Sequence, residues 1–241
     1  MKVKNFTFIS KTVFFPKEGI LAIGDLHLGY EPMLREQGIM LNFNQLKNTK
    51  KELEIIIKKI KALFSLKKIV LLGDMKHNFG FQKSELFDLR NFLKFLENFL
   101  SKEDIILIRG NHDKFTLNNY ELRDVYVSSD GEIAFTHGHL WFKELEDKKV
   151  KTIVIGHIHP AIVIGDKVGI KREKYKCFLV GKYKRKQFIV VPSFFPLIAG
   201  SEIKELYTGG KHEPIVKNKI LKKFDSYVVG KDRIYNFGKY K

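Results

Sequence analysis

Short apolar runs that end in glycine, followed at once by acidic, amide or imidazole side chains, recur along the chain. Leu21-Ala22-Ile23-Gly24 leads into Asp25-Leu26-His27, and Ile69-Val70-Leu71-Leu72-Gly73 into Asp74. Ile105-Ile106-Leu107-Ile108 leads through Arg109 into Gly110-Asn111-His112-Asp113, and Ile153-Val154-Ile155-Gly156 into His157-Ile158-His159. Apolar runs of this length read as buried strands, and glycine lets the backbone turn sharply where each ends. Four such units predict one site assembled from four strand ends, where buried strands of α/β proteins present their chemistry.

Between the runs the period changes. From Gln45 to Phe64 the residues Leu53, Ile56, Ile57, Ile60, Leu63 and Phe64 fall at helical spacing opposite a lysine-rich face. That pattern predicts a surface helix over a sheet. A second helix is expected from an N-cap at Ser84, with Leu86, Leu89, Leu93, Leu96 and Leu100 as its apolar stripe. Residues 6–15 and 19–23 read as two strands split by Pro16-Lys17, and residues 68–72 as a third. Alternation of strand and helix up to Asp113 is the sign of a layered α/β sheet. Beyond it only short strands are expected, at residues 132–136, 152–155, 161–164, 176–180 and 188–191, forming a second, largely antiparallel sheet packed on the first. Past Pro196 the pattern becomes irregular. The expected organisation is one domain over residues 1–200 and a basic C-terminal extension over 201–241 packed on the same domain.

Composition narrows the picture. A chain of 241 residues with 44% hydrophobic content suits one large domain with a real core. Its 44 Lys+Arg against 27 Asp+Glu leave a formal charge of +17, which favours anionic partners unless it is mere compositional bias. Cys177 is the only cysteine, so no intramolecular disulfide forms, and its strand-like setting marks it as a small buried residue. Met1-Lys2-Val3-Lys4-Asn5 lacks the apolar stretch of a signal peptide, and no run approaches the ~18 apolar residues of a membrane span. A cytoplasmic protein with no membrane partner is expected.

The histidines carry the chemistry. Of the eight, His27, His77, His112, His137, His139, His157 and His159 lie in or beside the strand-end motifs, and only His212 is elsewhere. In an extended segment residues two apart point the same way, so Asp25 with His27, and His157 with His159, are each expected to converge. Carboxylate with imidazole suits manganese, iron, zinc or nickel better than calcium or magnesium. Seven N/O donors exceed what one ion needs and fit two sharing a carboxylate, ~3.5–4 Å apart as in two-metal phosphoryl-transfer sites.

Read together, Asp25-X-His27, Gly73-Asp74, Gly110-Asn111-His112-Asp113, His137 and Gly156-His157-X-His159 resemble the five signature motifs of the calcineurin-like metallophosphoesterase family. The resemblance implies a four-layer αββα sandwich of two mixed sheets flanked by helices, with a dinuclear site between the ends of the central strands. It implies Asp25, His27, Asp74 and His159 as ligands of one ion, and Asp74, Asn111, His137 and His157 as ligands of the other. His112 takes the part of a non-ligating general acid, Asp113 orients it by accepting its other N–H, and a metal-bridging hydroxide is the nucleophile. Manganese is the preferred metal by the same resemblance, with nickel, iron and zinc as alternatives.

Much of the family reads Gly-Asp-X-X-Asp where this chain reads Gly73-Asp74-Met75-Lys76-His77. A histidine there, with Asp25-Leu26-His27-Leu28-Gly29, resembles the nucleases of DNA double-strand-break repair and their archaeal relatives, and implies His77 as a second imidazole on the substrate phosphate. Val191-Pro192-Ser193-Phe194-Phe195-Pro196-Leu197 resembles the same archaeal set. His139 reads as a supporting residue, His212 as a solvated one, and Trp141-Phe142 as core. Residues 167–186 hold nine Lys/Arg against Glu173 and read as a hairpin with one charged face, suited to a polynucleotide backbone or to blunting a sheet edge. The expected activity is a phosphodiesterase on nucleic acid or nucleotides. The alternatives are a small-molecule phosphatase or cyclic-nucleotide phosphodiesterase, and a nucleic-acid-binding accessory with incidental catalysis.

Overall fold

The computed structural model describes residues 1–3, 5–80, 82–117, 119–165, 172–202 and 214–239. The first sheet runs in chain order: β1 (Lys2–Val3), β2 (Phe6–Ile9), β3 (Thr12–Phe15), β4 (Ile20–Ile23), β5 (Lys68–Leu71), β6 (Ile105–Ile108) and β7 (Leu122–Arg123). Pairing is antiparallel up to β4 and parallel from there on. The parallel half requires crossovers, and helices α1 (Tyr30–Glu36), α2 (Gln45–Lys61) and α3 (Lys83–Glu97) lie in them.

The second sheet is built from β8 (Val125–Val127), β9 (Ile133–Thr136), β10 (Thr152–Ile155), β11 (Pro160–Gly165), β12 (Arg172–Tyr183), β13 (Lys186–Val190) and β14 (Ser201–Glu202), in the order β14-β11-β12-β13-β10-β9-β8. The strands β15 (Asp225–Val229) and β16 (Ile234–Lys239) join it through β12. A short helix α4 (Asn218–Leu221) precedes them.

Strand alternation sorts the apolar side chains into three cores. Leu21, Ile23, Ile69, Leu71, Ile105 and Leu107 face α2 and α3, whose stripes of Leu53, Ile56, Ile57 and Ile60, and of Leu86, Leu89, Phe92, Leu93 and Leu96, cover them. Ile20, Ala22, Val70, Ile106 and Ile108 turn the other way and meet Phe135, Val154, Phe178 and Ile189 of the second sheet. Phe8 and Phe178 stack across that seam with centroids 4.0 Å apart. The outer face of the second sheet, with Ile153, Cys177, Leu179 and Phe188, is covered by Leu145, Val216, Leu221 and Phe224. The result is the expected four-layer αββα sandwich of two mixed sheets, its fourth layer reduced among the described residues to short helical turns.

Several local expectations change. Residues 6–15 form a hairpin rather than one strand, because the chain reverses at Ser10, whose φ is 50°, and the Thr12 hydroxyl donates to Ile9 O at 2.7 Å. The first long helix stops at Lys61, leaving Leu63 in solvent and Phe64 leaning on Phe14. Ser84 sits inside the first turn of α3, whose cap position is Gln82 with no side-chain cap bond. The centre of the second sheet is parallel, not antiparallel, since β9, β10 and β13 all run towards the same end. Past Pro196 the chain is not irregular throughout: β15 and β16 acquire ladder partners that no local pattern reveals.

Among its described residues the basic run does not form one charged face. Its residues 167–171, like His212, lie outside the described residues. Twelve-residue β12 spans about 40 Å, pairing β11 at its start and the beginning of β13 at its end. Its exposed cations therefore divide, with Arg172 and Lys174 on the side where the second sheet's site motifs end and Lys182 at the far end with Lys184 and Arg185. Others are structural. The amine of Lys176 donates to Ser193 O at 2.7 Å and to Phe195 O, and burial together with nearby Lys11 brings it down to about 7. Lys186 holds the carbonyls of Asp147 and Val150. Lys184 covers Trp141, which packs at the edge of the outer core as expected.

Candidate metal centre

The ends of β4, β5, β6, β9 and β10 bring Asp25, His27, Asp74, Asn111, His112, His137, His157 and His159 into one centre between the sheets. Three groups each have ligand atoms within 4.8 Å of one another: Asp25 with His27 and His159, His27 with Asp74 and His112, and Asp74 with His137 and His157. His27 and Asp74 each belong to two groups and link all three. Asn111 adds an amide oxygen 3.0 Å from His137 Nε2.

Convergence comes from bent backbone, not from extended segments. His27, Asp74, His157 and His159 all have positive φ, between 44° and 64°. For non-glycine residues each such position costs of order 1–3 kcal/mol, and such strain clusters at functional sites. One consequence corrects the expectation for His157 and His159. Two residues apart, they reach different groups, His159 towards Asp25 at 3.2 Å and His157 towards His137 at 3.1 Å.

Glycine makes the close approach of strands feasible. A Cβ on Gly110 would lie 2.2 Å from both the amide and a carboxylate oxygen of Asp74, and one on Gly156 would lie 2.6 Å from Asp25 Oδ2. Backbone N–H groups then orient the carboxylates. His157 N–H donates to Asp25 at 3.1 Å. His112 N–H donates to Asp74 Oδ1 at 3.0 Å, leaving Oδ2 3.4 Å from His137 Nε2, 3.8 Å from His112 Nε2 and 4.0 Å from His27 Nε2.

The donor set fits divalent cations. His137 Nδ1 donates to Leu72 O at 2.7 Å, so its Nε2 lone pair is aimed at Asp74, Asn111 and His157. Imidazole nitrogens also meet at 3.3 Å between His27 and His159. Lone pairs facing lone pairs in a buried site require a cation or a proton between them, and a second ring nitrogen anchored on a carbonyl is a common support for a metal-binding imidazole. At His137 a proton fills this role when no cation does. Burial disfavours the charged form of His137, yet the carboxylates of Asp74 and Asp25 beside it raise it to about 9. Burial likewise opposes ionisation of Asp25, but His159 and His137 hold it at about 2. Asp74 is drawn down in the same way, chiefly by His137 against its burial. His27 moves oppositely: burial and the neighbouring His159 push it to about 3, so it stays neutral and ready to ligate.

His112 and His77 stand beside this cluster. His112 Nδ1 contacts the carbonyl of His77. The expected partner, Asp113, does not orient it. Its buried carboxylate folds back beneath the turn and accepts from the backbone N–H groups of Met75 and Gly110, both at 3.0 Å. Burial and the nearby Asp74 raise this carboxyl to about 7. Asp113 thus ties the β5 and β6 loops together. His77, half-buried, lies with its ring 5.5 Å from that of His27 and 6.2 Å from that of His112. His139 follows Gly138, whose φ is 107°, and remains outside the three groups with its ring 5.1 Å from that of His137.

Supporting residues that no sequence pattern exposed complete the site. Gln45 Nε2 donates to the carbonyls of Leu26 and His27 at 3.1 and 2.8 Å. The carbonyl of Asp25 accepts from Phe194 and Phe195 N–H and from the Ser193 hydroxyl. The Val191–Leu197 segment, noted only for its resemblance, is therefore a brace for Asp25, and Phe195 faces Tyr30 with centroids 5.0 Å apart.

Comparison with known proteins places this geometry. The family model of calcineurin-like phosphoesterases matches residues 19–194. Among solved structures, the nuclease MPE of Pseudomonas putida superposes with a TM-score of 0.62 at 18% identity, over 97% of this chain and 100% of that one. At this identity the likeness establishes the fold and not the activity. Vacuolar protein sorting 29 from Cryptosporidium parvum has a TM-score of 0.40 at 15% identity, covering 91% and 97% of the two chains. A predicted phosphoesterase of Streptococcus pneumoniae has 0.36 at 13%, covering 97% and 100%. Neither of these two is close enough to carry weight, and no curated protein matches in sequence. Among the described residues no helix is long and apolar enough to cross a membrane. With the family match spanning most of the chain and a donor set suited to divalent ions at its heart, the chain belongs to the calcineurin-like phosphoesterase family and is a metal-dependent phosphoesterase.

Proposed function

We propose that the protein is a phosphodiesterase acting on nucleic acid or nucleotides through two divalent ions, manganese by preference. One ion would be held by Asp25, His27, Asp74 and His159, the other by Asp74, Asn111, His137 and His157. The observation that carries this reading is the sharing of Asp74: its Oδ2 lies between the imidazoles of His27 and His137, as a bridging carboxylate must. Two bound divalent ions supply Lewis acidity to the phosphoryl oxygens and activate water as the attacking group.

The chain's own residues handle the leaving group. To donate to the carbonyl of His77, Nδ1 of His112 must carry a proton. It is therefore the doubly protonated ring that acts as the acid, giving its second proton from Nε2 to the departing oxygen and returning to the neutral Nδ1–H form. His77 is kept neutral by burial and by His112 beside it, which leaves it available to hydrogen-bond a phosphate oxygen. The basic excess of the chain favours an anionic substrate.

Metal-stripped protein reloaded with manganese should hydrolyse bis-p-nitrophenyl phosphate faster than p-nitrophenyl phosphate. Turnover of the monoester alone would overturn the diesterase assignment and favour a small-molecule phosphatase.

Metal uptake should also depend on pH. Because His137 holds a proton up to about pH 9 in the metal-free protein, an ion taking its Nε2 must displace that proton at neutral pH. Affinity for manganese should climb by up to about tenfold per pH unit through neutrality and level off above pH 9. Calorimetry in buffers of different protonation enthalpy should register the released proton. Uptake without proton release at pH 7 would remove His137 from the ligand set.

A further inference from the structure

Phe79 lies at the mouth of the centre with its ring stacked on the imidazole of His112, centroids 3.7 Å and planes 26° apart. It is 48% exposed. A half-exposed aromatic is ordinary in itself; what distinguishes Phe79 is how its loop is held. The fully buried amine of Lys76 donates to the carbonyl of Asn78 and, at 2.9 Å, to that of Gly80. It thereby grips the residues immediately before and after the ring. Glu85, equally buried at the start of α3, lies 3.9 Å from that amine. It accepts from the backbone N–H of Asn78 at 3.0 Å and from its side-chain amide at 2.8 Å. A buried ion pair yields little net stability, because desolvation offsets its Coulombic gain. Here its effect is geometric, setting an exposed ring in register with His112.

We propose that Phe79 is the platform on which a nucleobase of the substrate stacks while its phosphate enters the centre, with the Lys76–Glu85 pair holding that platform beside His112. The proposal rests on the phosphodiesterase reading and narrows it to diesters that carry a base next to the scissile phosphate. Every base has a π-face, so such a platform selects nucleotidyl over alkyl diesters without selecting sequence.

The test is equilibrium binding to the metal-loaded protein, which requires no turnover. An oligothymidylate and an abasic chain of the same length, both phosphorothioate-linked to resist cleavage, present the same charge and hence the same electrostatic attraction. The wild type should prefer the oligothymidylate by about fivefold or more, the lower end of what one base–aromatic stack contributes. Phe79→Ala should erase the preference without weakening abasic binding, and Phe79→Trp should retain it. Lys76→Met, checked for folding by circular dichroism, should reduce it. Equal binding of both chains by the wild type, or a preference that survives in Phe79→Ala, overturns the proposal. So does a Phe79→Ala variant that loses affinity for both chains alike, which would make the ring a cover for His112. A preference unchanged in Lys76→Met overturns the role of the buried pair. If the base preference holds but the wild type cleaves no diester, the platform stands and the phosphodiesterase reading falls.

Discussion

His112→Asn lowers kcat for a dinucleotide by about 10²–10⁴-fold, the range of a lost general acid, and leaves the bound metal unchanged. The size of the loss should follow the leaving group. An alkoxide departs poorly without a proton, whereas p-nitrophenolate departs as the anion, so bis-p-nitrophenyl phosphate should lose far less. Asparagine preserves the backbone N–H that donates to Asp74 Oδ1 at 3.0 Å, and the variant should keep the carboxylate's orientation. Metal analysis beside kinetics on the two esters separates the roles of this residue. His112 also shares a potential ligand group with His27 and Asp74. Loss of an ion from His112→Asn, with both esters affected equally, would make it a ligand and sink the general-acid assignment.

Asp74→Asn is expected to be the most damaging single change in the centre. Asp74 is the carboxylate common to the His27 and His137 sides, and asparagine keeps its shape while removing its charge. On the proposed two-manganese centre, metal content should fall to one ion per chain or fewer. The fall in kcat/KM should be well beyond the about 10–100-fold that follows loss of a residue supporting a ligand. Far-UV circular dichroism should be unchanged, because the backbone bonds from Leu26 and His27 go to the Asp74 carbonyl, at 3.1 and 2.9 Å, and not to its side chain. A variant that still binds two manganese ions tightly would exclude Asp74 as the bridge.

These variants probe an assembly that was only partly legible in the chain. The Gly-polar endings of four apolar runs were visible, and with them every donor of the three ligand groups except His137, which follows a fifth strand. The supports were not. Lys76, flanked by Met75 and His77 in a loop, carries no periodic signal of burial, yet its amine is fully enclosed. Glu85 reads as an ordinary first-turn acid of a helix and proves to be the partner of that lysine. Ser193 and Phe195 belong to a recognisable segment, but nothing local says that it braces the carbonyl of Asp25, 168 residues earlier at Ser193.

Periodicity and glycine placement in the amino-acid chain were sufficient for the layered α/β class, for β4, β5, β6 and β10 to within a residue at each end, and for the residue types of the centre. They suffice because burial of a strand or helix face repeats at a fixed interval along the chain, whatever that face packs against. The division of the donors was settled in three dimensions. His157 and His159 part company because both turn through left-handed backbone, and Asp113 serves two loops instead of His112 because the turn at Gly110 points its carboxylate inward. The same holds for β15 and β16, which become strands only by pairing onto β12. Each of these outcomes depends on contacts between segments far apart in the chain, and a contact of that kind leaves no period in either segment.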